Sequence, residues 1–310
     1  MALWNYCLLI ILKNKIFLLI VNPVSGTKTH QQAIDLIITY FNNHNITLKL
    51  FYTKYKGHAR EHCTNINRKL FSTILIYGGD GTFNEVINGI LSREDQYLPN
   101  LGFFPGGSGN AVMHHLKKLD IEDACKAIID NKIQKIDMME MRFLNYTEYS
   151  INILGWGMVT DIGILAESMR WLGTARYTIA SLFYIFNIKK RYANIWINNK
   201  KYRDDYLFIL IANTKYTGKG MLIAPNASLN DRLLDLIIVK NNINKFALIK
   251  LLPKLFTGEH ISSQYVEYKQ VKSIEIIPEK NECLNIDGEI YGTTPVKVNI
   301  SNKKLPIYFY

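Results

Sequence analysis

Thr73-Ile74-Leu75-Ile76-Tyr77-Gly78-Gly79-Asp80-Gly81-Thr82-Phe83-Asn84-Glu85-Val86 sets a short apolar run against a glycine-rich turn and then a helix-forming segment. An apolar run of this length reads as a strand covered on both faces, and Phe83–Ser92 carries helical spacing. The same alternation extends outward from this stretch. Strands are expected at Lys15–Val21, Thr47–Tyr52 and Leu101–Phe104, and helices at Gln31–Asn42, Gly57–Leu70 and Asn110–Leu116. Strand–helix alternation with apolar strands predicts an α/β domain built on a parallel sheet.

After Asp137 the texture changes. Tyr149–Leu154, Tyr192–Ile197, Leu207–Ala212, Leu234–Val239, Ser273–Ile277 and Val296–Ile300 read as strands joined by turns. They are interrupted by helical stretches at Ile162–Asn187 and at Lys245–Phe256, the latter containing Pro253. This is the pattern of a mainly antiparallel domain. Two domains suit a chain of 310 residues. They are expected at 1–137 and 138–310, with residues 296–310 a candidate to pack back on the first.

Apolar residues make up 48% and charged residues 20%, the balance of a globular rather than a disordered chain. The formal charge of +11 favours an anionic partner: nucleotide phosphates, nucleic acid or an anionic membrane. Cys7, Cys63, Cys125 and Cys283 form no CxxC or zinc-spaced cluster, so reduced thiols in the cytoplasm are expected. Leu8–Leu12 and Ile16–Val21 are apolar but interrupted by Lys13, Asn14 and Lys15. Neither run reaches the roughly 20 residues of a spanning helix, so the first is read as an extra strand, ahead of an interfacial anchor.

Three glycine-rich turns follow strands of the first domain: Asn22-Pro23-Val24-Ser25-Gly26, Gly78 to Thr82, and Pro105-Gly106-Gly107-Ser108-Gly109-Asn110. In a parallel sheet such strand ends share one crevice. Glycines let backbone N–H groups approach phosphate oxygens, and each following helix offers its positive end, so a nucleotide polyphosphate suits the set best. The GxxxxGK[ST] loop, the protein-kinase HRD and DFG signatures and a GxGxxG in a first βα turn are all missing, which excludes the commoner phosphate-binding designs.

The Gly78–Val86 run resembles the signature of the diacylglycerol kinase catalytic-domain family, which includes bacterial lipid kinases and sphingosine and ceramide kinases. Asn22-Pro23…Ser25-Gly26, Thr53 with Gly57-His58-Ala59, Pro105 to Asn110, and Asp287-Gly288-Glu289 match in order over nearly the whole chain. The resemblance implies an ATP-dependent lipid kinase using Mg²⁺, with its active site in an interdomain cleft. ATP would be held by Asn22, Pro23, Ser25, Gly26, Thr53, Gly78, Gly79, Asp80, Gly81, Thr82, Asn84, Glu85, Gly107, Ser108 and Asn110. Asp80 would organise Mg²⁺ or assist proton removal, Asp287 would be the general base, and Glu289 would position metal or hydroxyl. Singly, Asp80 and Asp287 read as plain Asp-Gly turns, and the ordered motif set overrides that reading.

Gly155-Trp156-Gly157-Met158…Asp161…Glu167…Arg170-Trp171-Leu172-Gly173…Arg176 looks like the matching stretch of sphingosine and ceramide kinases. It implies that Glu167, Arg170 and Arg176 serve the nucleotide. The acid used there on a sphingoid head group aligns with Gly163, leaving Asp161 as the nearby candidate for substrate binding. Pro225 to Asp235 resembles a structural Mg²⁺ loop, with the Asp231 carboxylate and backbone oxygens of Ser228 and Leu233 as ligands, although Arg232 replaces the usual glycine.

The expected partner is a membrane lipid substrate, with peripheral membrane contact in the cytoplasm, while a homodimer is left open. Trp171–Phe186, rich in aromatics, and Lys245–Phe256, with Lys245, Lys250 and Lys254 among apolar residues, are both weighed as bilayer contacts; core packing for the first, and a solvent face at Lys250 and Lys254 of an amphipathic helix for the second, are preferred. Two competitors remain: a kinase of a soluble substrate such as NAD, and a non-catalytic nucleotide or nucleic-acid binder. Nucleic acid is disfavoured because the basic residues carry no aromatic-interleaved motif.

Overall fold

Strand β1 (Lys15–Val21) buries its last five residues and β3 (Thr73–Gly78) buries all six, which only a strand covered on both faces allows. The structure, a computed structural model, describes residues 15–25, 30–107, 109–116, 120–173, 175–218 and 220–309. The extra strand expected at Leu8–Leu12 lies outside them. The chain divides into two compact units. The first takes the described residues within 1–108, 116–134 and 306–310, and the second those within 109–115 and 135–305.

In the first unit β1, β2 (Ile46–Tyr52), β3 and β4 (Asn100–Pro105) pair in parallel in the order β2-β1-β3-β4. The chain's last strand, Leu305–Tyr308, continues the sheet in parallel beside β4, and β5 (Ile133–Ile136) completes six strands among the described residues. The intervening helices are α1 (His30–Asn43), α2 (His58–Asn65), α3 (Asp80–Leu91), α4 (Ala111–His115) and α5 (Ile121–Ile129). Ile34, Ile37 and Phe41 of α1 share a core with Leu19, Leu75 and Phe104 of the sheet and Ile128 of α5. On α3, a Cβ at Gly89 would lie 2.5 Å from the Arg60 carbonyl oxygen, so only glycine lets α2 approach this closely. Helix α2 stops at Asn65, short of the expected Leu70, because the Asn67 side chain accepts the Lys69 N–H and folds the chain into a turn.

The second unit holds eleven joined strands among its described residues: β6 (Met139–Arg142), β7 (Thr147–Ser150), β8 (Ile153–Gly157), β9 (Tyr192–Ile197), β10 (Lys200–Ala212), β13 (Leu234–Lys240), β14 (Val266–Val271), β15 (Ser273–Pro278), β16 (Cys283–Ile286), β17 (Glu289–Thr293) and β18 (Val296–Ile300). A two-stranded ribbon, β11 (Tyr216–Thr217) with β12 (Met221–Leu222), stands apart. The pairings are antiparallel, as expected. The long strand β10 pairs with β9 over its first half and with β8 and β13 over its second, and the sheet branches there. Trp156, Tyr206, Ile209, Leu236 and Leu284 belong to the core that results.

Two expected elements divide. Tyr149–Leu154 splits between β7 and β8. The helical stretch Ile162–Asn187 becomes α6 (Met158–Ser168), a 3₁₀ turn (Arg170–Leu172) and α7 (Ala175–Phe186), broken at Gly173 with φ +56°. Helix α8 (Lys245–Thr257) starts on the Asn244 side chain, which accepts the Ala247 N–H, and buries Leu248 and Leu251. Lys250 and Lys254 face solvent, as read from the sequence. Among the described residues no helix is long and apolar enough to cross a membrane.

Candidate active site

The strand-end turns of the first unit are tied to one another. Asn22, just after β1, donates from Nδ2 to Thr82 Oγ1 at 2.9 Å, while its Oδ1 accepts the Val24 N–H and Ser25 Oγ donates to its carbonyl. The Gly106 N–H donates to the Gly78 carbonyl at 2.9 Å, and a Cβ on Gly106 would lie 2.9 Å from the Gly78 nitrogen. A Cβ on Gly79 would meet the Gly107 Cα at 3.1 Å. The glycines are therefore required by backbone-on-backbone approach. Gly79 is extended and Asp80 opens α3, followed by Gly81, with Thr82 buried and Asn84 accepting the Asn88 amide. The structure thus brings Asn22, Pro23, Ser25, Gly78, Gly79, Asp80, Gly81, Thr82 and Gly107 to one rim, with Thr53 tied to it by its N–H on the Val21 carbonyl. Gly26 and Ser108 lie outside the described residues. Asn110, at φ +50°, lies in the segment 109–115 that belongs to the second unit.

Glu85 takes a part the sequence did not announce. Its two carboxylate oxygens accept the N–H groups of Gly57 at 2.8 Å and Ala59 at 3.2 Å, where Gly57 has φ +91°. It braces the start of α2, and both oxygens serve backbone in the same chain.

In the second unit Asp287 and Gly288 form a two-residue hairpin turn between β16 and β17, both at positive φ, +53° and +89°. The Asp287 side chain is 8% exposed, and its Oδ1 accepts the Ser150 hydroxyl at 2.6 Å and the Ile153 N–H at 3.0 Å. Glu289 follows as the first residue of β17. Gly163 lies beside this turn: a Cβ there would be 3.2 Å from Asn285 Nδ2 and 3.1 Å from Ile290 Cδ1. An acid at 163 would accordingly point toward the residues that flank Asp287.

Asp161 pairs with Arg191, which is buried and also grips Glu282 at 2.9 Å, and with Lys189 at 3.4 Å. Glu167 gathers both predicted arginines, receiving Arg170 Nε at 2.6 Å and lying 3.4 Å from Arg176. Arg176 stacks over the Tyr177 ring, 4.8 Å from its centroid.

A diacylglycerol kinase catalytic domain model matches residues 16–141, and a YegS C-terminal NAD kinase beta sandwich-like domain model matches residues 153–309. The chain belongs to the diacylglycerol kinase catalytic-domain family. This kinase is 27% identical over 351 residues to sphingosine kinase 1 of Arabidopsis thaliana, covering 95% of its own chain and 72% of the relative. It is also 27% identical over 282 residues to a diacylglycerol kinase of Bacillus subtilis (strain 168), covering 89% and 90%. The crystal structure of a diacylglycerol kinase from Bacillus anthracis str. Sterne shares its fold at TM-score 0.78 and 24% identity, over 96% and 97% of the two chains. An NAD kinase from Archaeoglobus fulgidus, solved with ATP, shares it more loosely, at TM-score 0.52 and 12% identity over 94% and 93%.

Among the described residues of the kinase, no three His, Cys, Asp or Glu side chains gather as a metal site. A cation would rely on the mixed oxygen donors of the Ser228–Leu233 loop, a set that suits a hard divalent ion. Asp231 Oδ1 accepts the Leu233 N–H at 3.0 Å, and Ser228 donates to Asn230. Arg232 takes φ +64°, and its guanidinium reaches the Ser301 carbonyl at 2.7 Å. The residue that stands where the resemblance expects glycine thus directs its guanidinium to the Ser301 carbonyl and toward Asp137.

Two further residues escaped the sequence reading. Asp137 is fully buried, accepts the Arg232 N–H at 2.7 Å and pairs with Lys304 at 3.0 Å. An acid set between Ile136 and Met138 in an apolar run was the available signal. His115 accepts the Lys215 N–H on Nδ1 at 2.9 Å, and burial lowers its pKa to about 4. Nothing local in the sequence marks it.

Proposed function

We propose that this kinase transfers the γ-phosphate of ATP, with Mg²⁺, to a hydroxyl group of a membrane lipid of the diacylglycerol or sphingoid/ceramide type. The observation that carries the reading is the interlocked set of strand-end turns around Gly78–Thr82, with Asp80 at the start of α3. Backbone N–H groups held this closely, and the positive end of a twelve-residue helix, suit a polyphosphate. The names of the relatives, sphingosine kinase and diacylglycerol kinase, favour a lipid alcohol over NAD as acceptor.

Each residue then has a part. Asn22, Ser25, Thr53 and the Gly78–Asn84 turn hold the phosphates, while Glu85 positions the Gly57–Ala59 backbone that adjoins them. The Glu167–Arg170–Arg176 cluster supplies fork-shaped donors for the nucleotide. Mg²⁺, when bound, would neutralise charge on the transferring group, and Asp80 would orient it. Asp287 accepts the proton of the lipid hydroxyl as its oxygen attacks the γ-phosphorus and the bond to ADP breaks. Ser150 and the Ile153 amide fix that carboxylate by hydrogen bonds to Oδ1. Asp161 binds the lipid head group only by sharing its carboxylate with Arg191 and Lys189.

Labelled ATP incubated with diacylglycerol, ceramide, sphingosine and NAD in detergent tests the assignment. Label in at least one lipid and none in NAD is expected, and label in NAD alone overturns it. Asp80→Asn should abolish turnover while thermal unfolding stays as in the parent. Near-normal turnover in that folded variant removes Asp80 from the chemistry.

A further inference from the structure

Behind Asp287 the second unit buries a group of hydroxyl and amide side chains. Ser150, at the end of β7, Asn152, just before β8, and Asn213 and Thr214, just past β10, are each no more than 2% exposed. Their neighbours Ile153 and Ala212 belong to an apolar core. Buried polar groups require hydrogen-bond partners, and replacing both partners of such a bond by apolar groups of the same shape can be neutral for stability. Packing alone therefore gives no reason to gather four of them at one place. Their bonding does.

The Thr214 hydroxyl donates to Asn152 Oδ1. Thr214 Oγ1 also lies 3.1 Å from the Tyr216 carbonyl, but its single proton takes the shorter contact to Asn152. The Asn213 N–H donates to the Asn152 carbonyl at 2.8 Å, and its Nδ2 donates to the Ile151 carbonyl at 3.1 Å. Asn152 is thus held at side chain and backbone by the two residues that follow β10. Its own N–H donates to Ser150 Oγ at 3.1 Å. With that N–H aimed at the oxygen, the Ser150 hydroxyl turns its proton the other way and donates to Asp287 Oδ1 at 2.6 Å. The Ile153 N–H donates to the same oxygen at 3.0 Å, and the Asp287 N–H returns to the Ile153 carbonyl at 3.0 Å. Every donor in the series Thr214, Asn152, Ser150 points toward the carboxylate, an arrangement in which each bond strengthens the next. A group that takes a proton from an attacking hydroxyl tolerates little misplacement, and this chain of bonds fixes it from behind.

Resting on the reading of Asp287 as the base, we propose that Asn152 and Thr214 are positioning residues that act on Asp287 through Ser150 and set where its carboxylate meets the lipid hydroxyl. The test is steady-state kinetics on the full chain, with whichever of diacylglycerol, ceramide and sphingosine in detergent the parent labels most. Thr214→Val keeps the shape of the side chain and removes the donor, and Ser150→Ala removes the last link. The kcat should fall about threefold or more in Thr214→Val and about tenfold or more in Ser150→Ala, with the KM for ATP close to the parent. Thr214→Ser, which keeps the hydroxyl, should retain the parent kcat. Neither Thr214→Val nor Ser150→Ala should lower turnover further when combined with Asp287→Asn, because the proton acceptor they position is already gone. If Ser150→Ala does not fold, the two Thr214 variants decide. A folded Thr214→Val with the parent kcat and only a lowered urea midpoint overturns the proposal, since the pair would then be structural. So does a loss of kcat that is as large with Asp287→Asn as without it. The base reading fails separately: Asp287→Asn with parental turnover, or a parent that labels none of the three lipids, removes that reading and this role with it.

Discussion

Asp287 occupies a left-handed turn position that asparagine also accepts, and its Oδ1 takes two hydrogen bonds that an asparagine oxygen can take as well. Asp287→Asn therefore keeps the turn and its anchors while removing the proton acceptor. Turnover should fall roughly 10²–10⁴-fold, the usual worth of a general base, with nucleotide affinity and unfolding temperature close to the parent. Calorimetric titration with a nucleotide analogue and lipid phosphorylation, on one preparation, check this. Loss of both together with a lowered unfolding temperature would make Asp287 a structural turn only. Gly163 tests specificity next to it. With glycine there, position 163 offers no carboxylate of its own toward the turn, so neutral lipid alcohols should compete well with sphingosine. Gly163→Asp places a carboxylate toward Asn285, displacing only the ends of Asn285 and Ile290, and should raise the sphingosine-to-diacylglycerol turnover ratio. An unchanged ratio in a folded variant would show that the head group binds elsewhere.

At the scale of elements, the turn between β3 and α3 was readable because its glycines and its Asp-Gly-Thr run are contiguous. The purpose of Glu85 was not, since its partners lie 28 and 26 residues away and such a pairing leaves no periodic trace. Helix α7 was only half legible for a related reason: it buries Ala180 and Ile185 but exposes Ile179, Leu182, Phe183 and Phe186, and helical spacing reports which residues share a face, not whether that face meets the core or the solvent. Glu85→Gln exploits the first case. A carboxylate accepts both N–H groups, whereas an amide offers one oxygen and turns an NH₂ donor toward the other N–H. The substitution should cost about 1–3 kcal/mol, read as a lower urea midpoint. Nucleotide affinity should drop with it, because the Gly57–Ala59 backbone beside Thr53 loses its brace. A destabilised variant with unchanged nucleotide affinity would confine Glu85 to fold stability.

Over the whole molecule, the parallel and antiparallel units were legible in the change of texture after Asp137, while the transfer of residues 109–115 to the second unit was not. That transfer places His115 where the Lys215 N–H donates to its Nδ1, a contact 100 residues apart in sequence. The contact gives a pH signature to the stability of the chain. Burial, chiefly, holds the His115 pKa at about 4, below the ordinary 6.5. Protonating Nδ1 would also oppose the Lys215 N–H with a second donor. Between pH 6.5 and 4 the unfolded chain takes up a proton here that the folded chain refuses. This part of the stability is intact above pH 6.5 and is lost as pH falls through that window. At pH 5 the loss should be on the order of 1–2 kcal/mol. Asp235, whose pKa burial raises to about 6, acts in the opposite direction over nearly the same range, so the bare acid profile mixes the two. A comparison with His115→Gln separates them. Glutamine can still accept the Lys215 N–H but does not titrate, and Asp235 is common to both proteins. Urea midpoints at pH 7 and pH 5 should therefore fall further for the parent than for the variant. Equal falls would mean that His115 is protonated in the folded chain at pH 5, with its bond to Lys215 broken or turned.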